Sequence, residues 1–129
     1  IKMGAKVVLA GPPTMIPMGV ETLGALVRYH VQEAIKDADV IMVLRIQKER
    51  QQVSLFPSER EYARCYGLTV EKLAGAKEDV LIMHPGPINR GVEIAPEVAD
   101  GPYSVILQQV ANGLAIRMAL LYLLLGGSR

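Results

Sequence analysis

Four short apolar runs punctuate the chain: Lys6-Val7-Val8-Leu9-Ala10, Val27-Arg28-Tyr29-His30, Val40-Ile41-Met42-Val43-Leu44 and Val80-Leu81-Ile82-Met83. Each is of strand length, and β-branched residues recur in them without a helical period. The run at 40–44 is the most strongly apolar and is expected to be the clearest buried strand, whereas 27–30 should lie near an edge. Between the strands the pattern turns helical or polar. Gly11-Pro12-Pro13 stops the first run, and Thr14 to Met18 reads as loop. Gly19 to Ala25 suits a short helix with Glu21 at its positive end. Gln32 to Ala38 suits another, with Ala34 and Ile35 turned inward. Ser58 is placed to cap a helix ending at Tyr66, with Glu61 as its capping-box partner and Gly67 as the stop. Thr69 caps a second turn, and Pro96 to Asp100 forms a third. Strands separated by helical segments predict an α/β fold built on a parallel sheet.

The last element differs from the others. A helix is predicted from about Ser104 to Leu125, closed by Gly126-Gly127. Its first half is amphipathic, with Gln108, Gln109 and Asn112 on one side and Leu107, Val110 and Leu114 on another. From Met118 to Leu125 the hydroxyl of Tyr122 is the sole polar group, so this half must be covered all round by a partner surface. Gln108, Gln109, Asn112 and Arg117 interrupt the stretch and speak against a membrane span.

Composition narrows the class. With 129 residues the chain is one domain at most, and 50% hydrophobic with 21% charged residues is ordinary for a globular protein. A net charge of +1 gives no electrostatic case for nucleic acid. The single cysteine, Cys65, has no partner for an internal disulfide, and it is expected to be a half-buried thiol in a reduced, cytoplasmic setting. The start at Ile1, without an initiator methionine or targeting pattern, suggests a fragment or processed piece.

Candidate chemistry falls after two of the strands. Met83-His84-Pro85-Gly86-Pro87-Ile88-Asn89-Arg90-Gly91 follows the fourth, at the strand end where open α/β sheets bind ligands. Two prolines around a glycine fix the backbone path and remove two N–H donors, leaving carbonyls to face a ligand. The same residues would equally serve a tight structural turn. Arg45 and Gln47 follow the third strand at i, i+2, on one face of an extended segment. A guanidinium fork beside an amide suits a carboxylate. A solvated polar loop is the alternative, and Lys48-Glu49-Arg50 is its obvious surface part. His84 alone is more often a structural hydrogen-bonder than a catalyst. Neither a dinucleotide nor a P-loop fingerprint occurs, and His30 and His84 have no acidic ligand set around them, so no metal or cofactor is expected.

Three ordered segments carry a family resemblance: Leu44 to Arg50, His84 to Ile94, and Gln109 to Ala119. Together with Val7 to Thr14 they resemble the aspartate carbamoyltransferase catalytic chain, over essentially the whole sequence. Ornithine carbamoyltransferases typically carry a His-Cys-Leu-Pro loop in place of His84-Pro85-Gly86-Pro87. The resemblance implies transfer of the carbamoyl group of carbamoyl phosphate to L-aspartate in pyrimidine synthesis. It implies a partial doubly wound, Rossmann-like parallel sheet flanked by helices. Residues 1–103 would form part of the aspartate-binding domain, and 104–129 a helix crossing to an absent carbamoyl phosphate domain. Arg45 and Gln47 would hold aspartate carboxylates. The carbonyls of Pro85 and Gly86 would orient the carbamoyl amide and the incoming amine, with His84 directed toward the carbamoyl oxygen. Pro87 and Arg90 would support that loop, while about Gln47 to Tyr62, including Lys48, Glu49 and Arg50, would form a loop closing over aspartate. The family's Ser-x-Arg-Thr-Arg and His-Pro-x-Gln motifs are absent, as is an interior strand. The chain is therefore expected to be inactive alone and to need the N-terminal portion and a homotrimer, with a regulatory chain or dihydroorotase as possible further partners. A non-catalytic scaffold or partner subunit is the competing reading.

Overall fold

A computed structural model describes residues 1–47 and 55–126. Among the described residues four strands form: β1 (Val8–Ala10), β2 (Leu26–Arg28), β3 (Val40–Met42) and β4 (Leu81–Met83). They are joined by five helices: α1 (Val31–Ile35), α2 (Glu59–Tyr66), α3 (Val70–Leu73), α4 (Pro96–Ala99) and α5 (Ile106–Leu124). Short 3-10 turns occupy Pro13–Met15, inside the expected loop, and Val20–Leu23, where Glu21 sits in the first turn as expected.

All strand pairing is parallel, as the βαβ pattern requires, but it is divided between two pairs. β1 pairs with β2 in the register Val8↔Leu26, and β3 pairs with β4 in the register Val40↔Leu81 and Met42↔Met83. The expectation that 40–44 is the best-buried strand is corrected here. Val40 and Met42 are each about half exposed, because they share with Leu81 the face of the sheet that the described residues leave open, while Ile41 and Val43 turn to the core. The interior position belongs to β4, which pairs with β3 along one edge. Along the other, the Ile82 N–H donates to the Tyr103 carbonyl at 2.8 Å and the Val105 N–H to the Ile82 carbonyl at 2.9 Å. Ile82 is accordingly 0% exposed and centres a core of Val31, Ile35, Leu68, Val80, Ile94, Val98 and Ile106.

Local capping follows the sequence closely. Ser58 accepts from the Glu61 N–H at 3.1 Å and opens α2, and Thr69 accepts from the Lys72 N–H and opens α3. Lys72 then reaches back, its Nζ donating to the carbonyls of Arg64, Cys65 and Gly67 at the end of α2. These are carbonyls a helix terminus leaves without partners, so one ammonium closes three of them. Cys65 is exposed on α2 rather than half-buried, because the helix turns its apolar side elsewhere.

α5 runs for 19 residues and buries little beyond Ile106. By length and composition, with a mean hydropathy of 1.3, it is sufficient for a membrane span despite its polar residues. Arg117, the charge within it, folds back to donate from Nε to the Gly113 carbonyl at 3.0 Å. Leu114, Met118, Leu121 and Leu124 all stand exposed, which leaves the apolar surface uncovered by this chain.

Candidate active site

Parallel pairing of β3 with β4 sends the segments that follow them off the same sheet edge, and a bond from the Val43 N–H to the Met83 carbonyl at 2.9 Å extends the alignment. The two polar clusters expected from the sequence are therefore brought together. Ile46 is turned inward, 3% exposed, with half-buried Arg45 and exposed Gln47 flanking it. That alternation is the one an extended segment imposes, and it sets Arg45 and Gln47 on the face opposite Ile46.

The 84–90 loop is built around a buried histidine. The His84 N–H donates to Oε1 of Gln109 on α5 at 2.9 Å, tying the end of β4 to the helix. The ring is wholly enclosed. Its Nδ1 accepts from the Gly86 N–H at 2.9 Å, which leaves the proton of the neutral ring on Nε2. Nε2 lies 3.4 Å from Oε1 of Glu93, itself buried. Burial lowers the pKa of this imidazole, against an opposing pull from Glu93. The His84 ring, expected to reach a carbamoyl oxygen, has no open surface in this chain, and its Nε2 makes no hydrogen bond. His84 supports the loop.

That support decides what the loop can offer. Gly86 holds φ at +64°, a conformation that favours glycine, and the Gly86–Pro87 bond is cis. Pro85 and Pro87 have no N–H, and that of Gly86 is spent inward on His84. The exposed tip therefore presents carbonyl oxygens to a ligand and no backbone donor. Beyond the tip, Arg90 pairs with Asp100 at the end of α4 through two bonds of 2.6 and 2.9 Å. The pairing raises the pKa of the guanidinium and lowers that of the carboxyl. Its guanidinium is thus turned to α4.

Three residues given no role from the sequence complete the arrangement. Asn89 donates its backbone N–H to Oε1 of Glu93 at 2.5 Å and its side-chain Nδ2 to the Ile46 carbonyl at 3.1 Å. Gln109 holds His84 as described. A signal for Glu93 lay in Val92-Glu93-Ile94, an acid between two apolar residues just past a proline-rich loop. Such an acid is buried only when hydrogen-bonded.

Tyr62, expected at the end of a closing loop, lies within α2, its ring 5.1 Å from that of Phe56 and 5.4 Å from that of Tyr66. Lys48, Glu49 and Arg50 lie outside the described residues. Burial first, then the nearby Glu93 and Tyr66, push the Tyr62 phenol from its ordinary 10.0 up to about 12. A group raised on folding contributes stability that is complete below its unfolded pKa and lost as pH climbs through the folded one. Tyr62 should therefore weaken the fold between pH 10.0 and about 12. In a spectrophotometric tyrosinate titration, Tyr62→Phe should remove the latest-ionising phase.

The Asp/Orn binding domain model of the aspartate/ornithine carbamoyltransferases matches residues 1–124, a span that includes all of α5. The aspartate carbamoyltransferase catalytic subunit of Desulfosudis oleivorans is 72% identical over 129 residues, covering 100% of this chain and 42% of the relative. That of Syntrophobacter fumaroxidans is 67% identical over 123 residues, covering 95% and 40%. Among solved structures, the ornithine carbamoyltransferase from Pyrococcus furiosus superposes with a TM-score of 0.83 at 29% identity, over 99% of this chain and 44% of that one. The aspartate transcarbamoylase from Trypanosoma cruzi, solved in complex with carbamoyl aspartate and phosphate, superposes at a TM-score of 0.70 over 90% of this chain and 39% of that one; at 24% identity it speaks to the fold alone. The chain thus spans about two fifths of the length of the curated relatives it matches. Its α/β architecture, its ordered motifs and the domain match agree: the chain belongs to the aspartate/ornithine carbamoyltransferase family, over the Asp/Orn binding domain.

Proposed function

We propose that this chain is the C-terminal, aspartate-binding part of an aspartate carbamoyltransferase, a cytoplasmic enzyme of pyrimidine synthesis, and that it supplies one half of the active site. The observation that carries this reading is the juxtaposition of Arg45 and Gln47 with the carbonyl-bearing 84–87 loop. The amine of aspartate attacks the carbamoyl carbon, the C–N bond forms, the C–O bond to phosphate breaks, and the proton lost by the amine leaves with the phosphate, giving N-carbamoyl-aspartate and inorganic phosphate. Arg45 and Gln47 grip the carboxylates of aspartate. The carbonyls of Pro85 and Gly86 accept hydrogen bonds from the carbamoyl amide and the attacking amine. No protein nucleophile takes part; alignment of amine and carbamoyl carbon supplies the rate.

The remaining half of the site comes from an N-terminal portion carrying the phosphate-binding residues. Two features fit that division. A doubly wound sheet of order 3-2-1-4-5 contains these two separate strand pairs when its first strand belongs to another segment. The exposed apolar surface of α5 fits a C-terminal segment, 104–129, whose helix crosses to the N-terminal domain and leaves 1–103 as the aspartate-binding part.

Assay of the full-length enzyme with aspartate and ornithine tests the proposal. Saturable carbamoylation of aspartate with little of ornithine is expected. Preference for ornithine, or no transfer to either, would overturn it.

A further inference from the structure

The Asn89 side chain joins two segments 43 positions apart in the chain, and it does so at the one point where the Arg45–Gln47 segment turns inward. A buried carbonyl at Ile46 needs a donor, and Nδ2 of Asn89 supplies it. Asn89 is itself held, since its N–H is bound to Oε1 of Glu93, the same oxygen that faces Nε2 of His84. One buried carboxylate oxygen therefore fixes the 45–47 segment through Asn89, while it lies 3.4 Å from the ring nitrogen of the histidine that holds Gly86. This inference rests on the role proposed above for Arg45 and Gln47. We propose that Asn89, anchored by Glu93, is a positioning residue that sets where Arg45 and Gln47 stand relative to the 84–87 carbonyls. It touches neither substrate; it acts through the Ile46 carbonyl.

The physical consequence is selective. A residue that merely stabilised the domain would weaken both substrates alike or lower the active fraction. A residue that places Arg45 changes aspartate binding, and its effect shrinks to the part carried by Gln47 once Arg45 is gone, because contacts acting through one another are not additive. A double-mutant cycle in the full-length enzyme reads this directly. Asn89→Ala should raise the aspartate KM about tenfold against wild type, leave the carbamoyl phosphate KM within about twofold, and change the aspartate KM less than about twofold in an Arg45→Ala background. Asn89→Asp, equal in size but without the donor to Ile46, should shift KM in the same direction and serves if the alanine variant does not fold. Glu93→Gln retains an acceptor oxygen for the Asn89 N–H and should stay within about threefold of wild type, while Glu93→Ala should not. Additive effects of Asn89→Ala and Arg45→Ala, or equal shifts for the two substrates, would overturn the inference while leaving the proposed function in place. A wild-type enzyme that does not carbamoylate aspartate would remove the functional reading, and this inference with it.

Discussion

Replacement of Arg45 by alanine in the full-length enzyme is expected to raise the aspartate KM by roughly 100-fold or more and to lower kcat, with the carbamoyl phosphate KM nearly unchanged. The size follows from the contact. A guanidinium holding a carboxylate in a partly enclosed site contributes about 2–5 kcal/mol on truncation, and each 1.4 kcal/mol is tenfold. The loss in kcat follows from position, since aspartate held by fewer bonds presents its amine less often at the carbamoyl carbon. Arg45→Lys should recover little, because a point charge cannot reproduce a planar fork. Steady-state kinetics with each substrate varied in turn separates these terms. An unchanged aspartate KM would count heavily against the assigned grip.

The second large effect is expected at Gly67, where α2 ends and passes under the strap that carries Glu93. A Cβ added there would stand 2.5 Å from the Ala63 carbonyl oxygen and 2.6 Å from that of Val92. Both are backbone atoms, so relief requires moving the end of α2 away from the 92–94 segment. The Leu68 N–H bonds to the Glu93 carbonyl at 2.9 Å in the same place, and that movement would pull on it. Overpacking of this kind costs about 1–3 kcal/mol, and backbone obstruction puts Gly67→Ala at the upper end. A Tm drop on the order of 5 °C is expected by calorimetry on the full-length enzyme. Because the displaced segment carries Glu93, the aspartate KM should rise as well.

Much of this fold was legible because its signals are local. Ser58, Glu61 and Gly67 define α2 by capping chemistry that needs no tertiary partner, and Thr69 does the same for α3. Parallel strands followed from apolar runs alternating with helical segments. The burial of individual strands was not legible in the same way. Val40 to Leu44 is as apolar as an interior strand, yet three of its five residues are exposed because burial depends on neighbours that the run itself cannot specify. α5 repeats the lesson, with an apolar surface written plainly in sequence and a covering that is not.

For the site, the contrast is between residue type and connection. Arg45, Gln47 and the Pro-Gly-Pro tip are recognisable because each offers a distinct chemistry at a strand end. Asn89 and Gln109 act through bonds to residues 43 and 25 positions away, Glu93 lies against a residue 9 positions away, and no local spacing announces such links. His84 illustrates the cost of reading type alone. Its chemistry invited a catalytic role, whereas its ring is enclosed, with Nδ1 accepting from Gly86 and Nε2 lying 3.4 Å from Glu93 without a hydrogen bond.

The central claim is that this chain holds half of a site. Carbamoyl transfer measured on the purified 129-residue chain, its identity verified by intact mass, tests that most directly. The account predicts no N-carbamoyl-aspartate from the chain alone, and product when the N-terminal portion bearing the phosphate-binding residues is supplied. Turnover by the isolated chain would contradict it.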